Sequence, residues 1–415
     1  MKIWESIKRI YKIVVRWSVQ FCKYMHAYVY LHVMHSELLR QNAWLITEKK
    51  TEARDNGYCF FEYLRTFHPE INAYYAISAD SPDKHKVDKL GNVILYDSLK
   101  HYALCLAADF CVSSQTIGAH PAVMIPRFYH ILAPLRNKKQ RVIFIQHGVT
   151  KDLISRPDWY YASHMIDLFA VSAAREREFL ESNYGYPPGY VKELGMCRFD
   201  KLVLPKLTKD KSILIMPTWR KWLHHSGGTE VTPEEKRAFL KSDFYLTYMH
   251  LLCNPEFSAL LKRYGYTVVF YPHYALQCYI DDFMTASSEQ IVIADRERFD
   301  VQQLLISSSA LITDYSSVFF DFAYLKKPEI FYQFDEKQFR NSHYNQGYFS
   351  YAEDAFGPIC YNEADLLGQL DKILKGGCIP EQRYTERVDS FFTYKDNHNC
   401  ERTYDAIQKL TDVIR

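Results

Sequence analysis

One stretch shows the architecture of this 415-residue chain most clearly: Leu311-Ile312-Thr313-Asp314-Tyr315-Ser316-Ser317-Val318-Phe319-Phe320-Asp321-Phe322. A short apolar run passes here into small hydroxyl residues and then into a segment that predicts a helix. Free backbone N–H groups and the positive end of the helix dipole gather at such a start and favour phosphate. Asp and Ser also cap helices in proteins of any function, so the stretch alone favours a plain N-cap.

Three other short apolar runs end in residues that bind phosphate or move protons. These ends are Gln146-His147-Gly148, Pro217-Thr218-Trp219-Arg220 and Tyr271-Pro272-His273. In open α/β sheets, ligands bind beyond the carboxyl ends of the strands. Together with the first stretch, these ends predict one site that combines His, Arg and Ser side chains.

Short apolar runs alternate with helical segments along the chain, which is typical of parallel βαβ units. A first set of strands is predicted at 44–47, 73–77, 93–96, 110–113, 142–145 and 168–171. A second set is predicted at 213–216, 267–271, 291–293, 310–313 and 328–331. The segment 222–232, with its adjacent His224 and His225, predicts a loop rather than a metal site.

The chain is too long for one ordinary hydrophobic core, which favours two domains. We predict an α/β protein in which two doubly wound, Rossmann-like domains face a cleft. Residues 41–208 would form the first domain. Residues 209–415 would form the second, which ends in a closing C-terminal helix.

Composition excludes several classes of protein. The net charge of +2 disfavours a nucleic-acid-binding protein. The ten cysteines are scattered singly, without a Cys-x-x-Cys pair, which argues against a disulfide framework or a structural metal site and favours the reducing cytoplasm. No apolar run of membrane-spanning length and no signal peptide is found in the sequence.

Residues 1–40 predict a basic amphipathic helix. The first 23 residues contain six basic side chains and one acidic one, and apolar residues such as Trp4, Tyr11 and Phe21 recur near helical spacing. Such a helix suits the surface of an anionic membrane. The consecutive apolar residues Ile13, Val14 and Val15 blur its two faces, so a helix that packs on its own domain is the alternative.

Absent motifs narrow the chemistry. The chain has no Gly-x-Gly-x-x-Gly fingerprint, Walker loop or Gly-x-Ser-x-Gly elbow, which weakens dehydrogenase, NTPase and hydrolase interpretations. It also lacks an Asp-x-Asp metal motif. Helix N-termini, Ser hydroxyls and the fork of Arg220 would then hold a pyrophosphate without a metal, as in a transferase.

The ordered set of motifs resembles the CDP-glycerol glycerophosphotransferase family, the wall teichoic acid and capsule polymerases and primases. The set contains Gln146-His147-Gly148, Thr218-Trp219-Arg220, Pro272-His273, and Thr313 to Ser317 with Asp321. The likeness extends to Glu48, Ala53-Arg54-Asp55-Asn56-Gly57-Tyr58 and Gly195-Met196-Cys197-Arg198-Phe199-Asp200, and it spans residues 42 to 375. Each motif alone is weak, whereas the whole set is specific.

The resemblance implies a fold similar to GT-B glycosyltransferases, with residues 41–208 on the acceptor side and residues 209–415 as the domain that binds the CDP-alditol donor. It also implies a peripheral position on the inner face of the bacterial cell membrane. It implies transfer of glycerol phosphate or ribitol phosphate from a CDP-alditol to a hydroxyl of a lipid-linked glycan or polyol phosphate, with release of CMP and no further cofactor. The alternative is a GT-B glycosyltransferase that uses a nucleotide sugar, because the fold does not separate the two. A non-catalytic membrane-associated binding protein is a further alternative. The sequence does not decide whether the alditol is glycerol or ribitol, or whether the chain is a primase or a polymerase. It also leaves the oligomeric state open.

The resemblance also implies roles for individual residues. His147 would be the general base, since imidazole titrates near neutrality, and His273 would be the second catalytic residue. The implied donor-binding residues are Thr218, Arg220, Asp314, Ser316, Ser317 and Asp321. The implied acceptor-binding residues are Glu48, Asp55, Asn56, Lys151 and Arg198. The alternatives are structural His residues, an Arg paired with a surface acid, helix-capping Asp residues and a solvated loop around Lys151.

Overall fold

The computed structural model describes residues 2–116, 120, 126–202, 210–223 and 231–412. These residues form the α/β architecture expected from the alternating pattern. The predicted domain boundary at residues 208 and 209 lies outside the described residues, as do His224 and His225 of the predicted loop. The domain limits therefore stay predictions.

The first half is built on a parallel sheet. Its strands are, in chain order, β1 (Trp44–Thr47), β2 (Ala73–Ile77), β3 (Val93–Leu95), β4 (Phe110–Ser113), β5 (Arg141–Phe144), β6 (Asp152–Leu153), β7 (Leu168–Val171) and β8 (Val191–Glu193). All of these described strands except β6 join one sheet in the order β3-β2-β1-β4-β5-β7-β8. Strands β1, β4 and β7 are buried along their whole length because helices cover both faces of a parallel sheet.

The second half repeats this arrangement. Its strands are β9 (Ser212–Ile215), β10 (Thr267–Phe270), β11 (Ile291–Ile293), β12 (Ala310–Thr313), β13 (Glu329–Tyr332), β14 (Asn345–Gln346) and β15 (Ile359–Cys360). All of these described strands except β14 form a parallel sheet in the order β11-β10-β9-β12-β13-β15. The predicted strands are confirmed within one or two residues, whereas the short strands β6, β8, β14 and β15 were not predicted.

Helices connect these strands. In the first half they are α1 (Lys2–Val29), α2 (Asn56–Phe67), α3 (Lys84–Asp88), α4 (Leu99–Ala107), α5 (Pro126–Ile131) and α6 (Ala174–Tyr184). Those that follow β9 are α7 (Pro233–Leu240), α8 (Asp243–Cys253), α9 (Pro255–Tyr264), α10 (Ile280–Phe283), α11 (Val301–Ser307), α12 (Val318–Tyr324), α13 (Glu336–Ser342), α14 (Tyr351–Asp354), α15 (Glu363–Lys375), α16 (Gln382–Phe391) and α17 (Asn399–Asp412). Side chains of the preceding residue cap several starts, such as Ser98 before α4 and Asn254 before α9.

The two halves contact each other through a short ladder. Strand β6 of the first half pairs with β14 of the second in antiparallel register, with Asp152 opposite Gln346. Beside this ladder, Arg340 Nη1 lies 2.7 Å from Asp152 Oδ1. These contacts join the two halves directly.

The C-terminal helix α17 returns to the first half. Asp200 accepts hydrogen bonds from the backbone N–H groups of Asn399 and Cys400, each at 2.8 Å, and so holds the start of α17. Ala406 and Ile407 of this helix lie in the same apolar core as Trp44. The Gly195-to-Asp200 segment therefore anchors the end of the chain.

Gly195 makes this anchor sterically tight. Its φ of +79° lies in the left-handed region, and a methyl group at its Cα would lie 1.7 Å from Asn399 Oδ1. Gly185 has a similar φ of +74°, and no heavy atom lies within 4 Å of a methyl group placed there. The two glycines thus share one backbone requirement and differ in their surroundings.

We predict that Gly195→Ala destabilises the protein more than Gly185→Ala. The left-handed conformation costs a non-glycine residue about 1–2 kcal/mol at either position. The clash with Asn399 adds about 1–3 kcal/mol at Gly195 alone. Urea unfolding of both variants measures the difference, and an equal loss of unfolding free energy would contradict the steric account of Gly195.

Candidate active site

The carboxyl ends of the two sheets meet at a cleft. The loop after β5 carries His147 and Gly148, and the turn before α12 carries Ser316 and Ser317. A methyl group at Gly148 would lie only 2.8 Å from Ser317 Oγ, so the loop and the turn are in contact across the two halves. The imidazole predicted to act as a base therefore borders the same cleft as the predicted phosphate-binding hydroxyls.

His147 is held as a neutral imidazole. Its Nδ1 lies 3.3 Å from the carbonyl oxygen of Ser114, which places the ring proton on Nδ1 and leaves Nε2 as an acceptor. The ring is exposed to the cleft, but the surrounding walls desolvate it and lower its pKa to about 4. The nearby ammonium of Lys49 lowers the same pKa further. At neutral pH the ring is thus unprotonated, as a general base must be.

Asn56 supports the His147 loop from below. Its Nδ2 donates to the carbonyl oxygens of Ile145 at 3.0 Å and Gln146 at 2.8 Å, and its Oδ1 accepts from the N–H of Arg198 at 3.0 Å. The side chain is fully buried. Because these contacts use both ends of the amide, the geometry favours a supporting role for Asn56, and its predicted contact with an acceptor stays a prediction.

Glu48 holds the start of α2. Its carboxylate accepts from the backbone N–H groups of Arg54 at 3.1 Å, Asp55 at 2.9 Å and Tyr58 at 2.6 Å. Burial, and then the charge of Asp55, raise the pKa of Glu48 to about 8. The structure directs this carboxylate toward the backbone, so its predicted acceptor-binding role is not supported by the geometry.

Arg198 links two of the predicted site residues across the halves. Its Nε and Nη2 contact the carboxylate oxygens of Asp321 at 2.5 and 2.8 Å, and its Nη1 contacts Asp55 Oδ1 at 2.9 Å. Arg198 and Asp321 are both buried. A residue predicted to bind acceptor and one predicted to bind donor thus bind each other, and the forked geometry fixes their orientation.

Arg220 is also engaged by protein carboxylates. Its Nε and Nη2 lie 2.6 and 3.0 Å from the oxygens of Asp335, and Nη2 forms an ion pair with Asp314 Oδ2 at 2.9 Å. Its Nη1 donates to the carbonyl oxygen of Thr218 at 2.9 Å. Because the side chain has no exposed surface, the structure does not present Arg220 to a pyrophosphate as the sequence predicted.

Asp314 ties together two loops that follow neighbouring strands. Its Oδ1 accepts from the N–H groups of Thr218 at 2.8 Å and Tyr315 at 2.6 Å. Both Asp314 and Thr218 are buried. This pair therefore shapes the edge of the site, and neither side chain projects far into the cleft.

Ser316 and Ser317 are partly exposed at the edge of the cleft. The Ser316 hydroxyl has a long contact of 3.5 Å with the N–H of Val318. The seven-residue helix α12 follows directly. These hydroxyls are the predicted donor-binding groups that the structure places best for contact with a ligand.

His273 faces the cleft from the second sheet. Its Nδ1 accepts from the N–H of Ala275 at 3.2 Å, which places the proton of the neutral ring on Nε2. The ring stacks near Trp219 and Tyr274, with centroid distances of 6.3 and 4.3 Å. His147 thus presents an acceptor nitrogen and His273 a donor, which suits base and electrophilic roles respectively.

Lys151 lies between the halves. Its ammonium contacts Asp152, which also binds Arg340. Only 5% of the side chain is exposed, and desolvation lowers its pKa from the ordinary value. The predicted contact of Lys151 with acceptor phosphate is therefore not supported by its position.

Two residues of the site were missed by the sequence reasoning. Lys49 places its Nζ 3.7 Å from the ring centroid of Tyr274, across the cleft, and within electrostatic range of His147. Asp335 completes the clamp on Arg220. Lys49 lies two residues after the predicted strand 44–47 and was available to the same argument, whereas Asp335 is 115 positions from Arg220 and no local pattern connects the two.

The chain matches known proteins over most of its length. A family model described as CDP-glycerol:poly(glycerophosphate) glycerophosphotransferase matches residues 28–409. The chain is 31% identical over 386 residues to the minor teichoic acid biosynthesis protein GgaB of Bacillus subtilis, covering 92% of this chain and 41% of GgaB. It is 25% identical over 380 residues to the teichoic acid poly(glycerol phosphate) polymerase of Staphylococcus epidermidis, covering 81% and 46%. It thus spans less than half the length of these curated relatives.

Solved structures share the fold. The wall teichoic acid polymerase TagF matches with a TM-score of 0.65 and 19% identity over 100% of this chain and 98% of that chain. A putative UDP-N-acetylglucosamine 2-epimerase from Listeria monocytogenes matches with a TM-score of 0.55 and 12% identity, over 90% and 97% of the two chains. At these identities the likeness shows the fold alone, which confirms two Rossmann-like halves facing a cleft.

The family match confirms the resemblance that was based on the order of the motifs. It covers the His147 loop, the Ser316–Ser317 turn and the Arg198 bridge, which the structure brings to one cleft. The chain belongs to the CDP-glycerol:poly(glycerophosphate) glycerophosphotransferase family.

Proposed function

We propose that this chain is a transferase that moves glycerol phosphate or ribitol phosphate from a CDP-alditol to a hydroxyl group of a lipid-linked teichoic acid or capsule-type acceptor, releasing CMP. The contact between Gly148 and Ser317 carries the proposal, because it brings the loop that carries a neutral imidazole in one half against the turn that carries two hydroxyl groups in the other. Family membership supports the CDP-glycerol donor. The names of the relatives support a teichoic acid acceptor.

The proposed reaction is an in-line displacement at phosphorus. His147 Nε2 takes the proton of the acceptor hydroxyl, and the hydroxyl oxygen attacks the phosphorus that carries the alditol. The bond from this phosphorus to the bridging oxygen breaks, and CMP leaves with the electron pair. The Ser316 and Ser317 hydroxyls, His273 Nε2–H and the Lys49 ammonium would stabilise the charge on the phosphate oxygens.

The buried ion pairs would position these groups. Arg198 and Asp321 set the approach of the two halves, and Arg220 with Asp314 sets the loops around Thr218 and Ser316. Preorganised supports of this kind keep reacting groups in place without reorganisation during the reaction. We propose that the reaction needs no cofactor beyond the CDP-alditol.

Helix α1 supports a proposed contact with the inner face of the bacterial cell membrane. Its described beginning exposes Tyr11, Val15 and Val19 at helical spacing, with exposed fractions of 68, 42 and 49%. Its end is buried at Tyr24 and Ala27, in the core of the first half. An exposed apolar stripe beside basic residues suits an anionic lipid surface. Within the described part of the chain, no helix is long and apolar enough to span a bilayer.

We predict that His147→Ala abolishes most CMP release from CDP-glycerol or CDP-ribitol with a lipid-linked glycerol phosphate acceptor. Loss of a general base lowers the rate by about 10²–10⁴-fold. His250→Ala is the matched control, because His250 lies on α8 with an exposed side chain paired only with Glu363 in the described structure. If the wild type releases CMP and the His147→Ala variant releases it equally fast, the role of His147 is overturned. If the wild type releases no CMP from either donor, the proposed function is overturned.

We predict that the triple variant Tyr11→Ser, Val15→Ser, Val19→Ser binds phosphatidylglycerol vesicles at least tenfold more weakly than the wild type. Burial of apolar side chains at the interface supplies much of such binding, and each CH₂ contributes about 0.8 kcal/mol. Vesicle sedimentation measures the effect, and melting temperature checks the fold. Substitution is preferable to deletion of the helix, because Tyr24 and Ala27 belong to the core.

Ile379→Ser is the control for this experiment, since Ile379 is 73% exposed in the C-terminal part of the chain. It should leave vesicle binding unchanged. Equal sedimentation of the triple variant and the wild type would refute membrane contact through α1.

A further inference from the structure

A buried carboxylate lies beneath the His147 loop. Glu176, on α6, has no exposed surface and accepts four hydrogen bonds. Its Oε1 accepts from Thr150 N at 2.7 Å and Gln146 Nε2 at 3.0 Å. Its Oε2 accepts from the N–H and the hydroxyl of Ser172, at 2.9 and 3.2 Å. One carboxylate thus ties together the loops that follow β5 and β7.

The segment that Glu176 holds has an uncommon backbone conformation. Gln146 has a φ of +54°, which is uncommon for a residue other than glycine. Its Nε2 also donates to the carbonyl oxygen of Ala170 at 2.7 Å, and its Oε1 accepts from Thr150 Oγ1 at 2.7 Å. Such a backbone persists only where surrounding contacts over-determine it. Glu176 contacts the chain on both sides of His147 and supplies two of these contacts.

The hold depends on the charge of Glu176. Three of the four partners are N–H groups that only donate, and the Ser172 hydroxyl donates as well, so only the ionised carboxylate accepts from all four. A proton on Glu176 would either meet an N–H donor or turn the Ser172 hydroxyl into an acceptor, and the remaining hydrogen bonds would lose the charge that strengthens them. Burial raises the pKa of Glu176 to about 7, which puts this change in the neutral range.

A titratable group that faces Glu176 from the second half is Tyr348, whose pKa burial raises well above its ordinary value. Arg175, which precedes Glu176 on α6, lies over the Tyr348 ring at 5.4 Å and pairs with Asp354 at 2.6 Å. Tyr348 therefore stays neutral when Glu176 titrates, and the charge of Arg175 is matched by Asp354.

We propose that Glu176 is a positioning residue whose ionised carboxylate holds the 146–150 loop so that His147 faces the reacting phosphate. The consequence for catalysis rests on the proposed function, whereas the hold on the loop does not. The rate should fall as pH decreases through about 7, because Glu176 gains a proton there while His147, with its pKa of about 4, is still neutral.

The test compares Glu176→Gln with Glu178→Gln. The glutamine keeps the shape of Glu176, but its amide nitrogen is a donor and meets the donors of one loop. Glu178 lies on the same helix, is 65% exposed and contacts Arg177 only at 3.6 Å among the described residues. We expect Glu176→Gln to lower kcat about tenfold or more with KM within about twofold, since small misplacements of a catalytic group cost up to about 10²-fold. The fall in rate near pH 7 should disappear in this variant and persist in Glu178→Gln.

Hydrogen exchange of the Thr150 amide gives a readout that needs no activity. Corrected for intrinsic rates, it should exchange at least about tenfold faster in Glu176→Gln than in Glu178→Gln, while the Val269 amide of β10 stays protected in both. If Glu176→Gln does not fold, Glu176→Asp replaces it, because the shorter carboxylate keeps the charge but does not reach both loops.

Unchanged Thr150 exchange, or a kcat and pH profile equal to those of Glu178→Gln, would overturn the proposal. If neither the wild type nor any variant releases CMP, the proposed function fails. The exchange of the Thr150 amide still decides whether Glu176 holds the loop.

Discussion

The fork of Arg198 joins the two halves of the molecule through buried, oppositely charged side chains. It lies on the first half, grips Asp321 of the second with two contacts and reaches Asp55 with a third. A buried ion pair of this kind adds little net stability compared with apolar residues, but it strongly penalises arrangements that leave a charge unpaired. The bridge therefore selects one relative position of the two halves by making other positions, in which a buried charge has no partner, unfavourable. The contact of Gly148 with Ser317, and with it the whole cleft, depends on this bridge.

Many polar side chains near the cleft are buried, and they hold the loops of the candidate site in place. Arg220 is clamped by Asp314 and Asp335, Asn56 carries the loop before His147, and Glu48 holds the start of α2. In a low-dielectric interior these interactions are strong and their loss is costly, so each one fixes a loop. The groups that do face the cleft are few in the described structure: His147, His273, Lys49 and the pair Ser316 and Ser317. Their positions are set by the buried layer.

Helix α1 connects the outer surface of the protein with this layer. Its buried end packs against α4, which leads into β4 and then to Ser114, the residue whose carbonyl orients His147. The exposed beginning of the same helix offers the apolar stripe proposed to meet lipid. A lipid-linked acceptor bound at that surface would approach the first half, on which the proposed base lies. The chain spans less than half of GgaB and of the Staphylococcus epidermidis polymerase, and the part that it does span contains this arrangement.

Local sequence patterns were enough for the longer strands, the fold class, the family and the edge of the sheets where the candidate site lies. Apolar runs of four or five residues that end in polar ones identify buried parallel strands, because such strands are covered on both faces and open to ligands only at their carboxyl ends. The same patterns did not show which of the polar side chains at the strand ends reach the cleft. Glu48 turns toward the backbone while its neighbour Lys49 reaches Tyr274, and Arg220 is buried by Asp335, which lies 115 positions along the chain. The two-residue strands β6 and β14 carry no periodicity at all, and their pairing exists because the halves come together. The direction of each side chain was decided by partners distant in sequence, and only the assembled molecule brings those partners into contact.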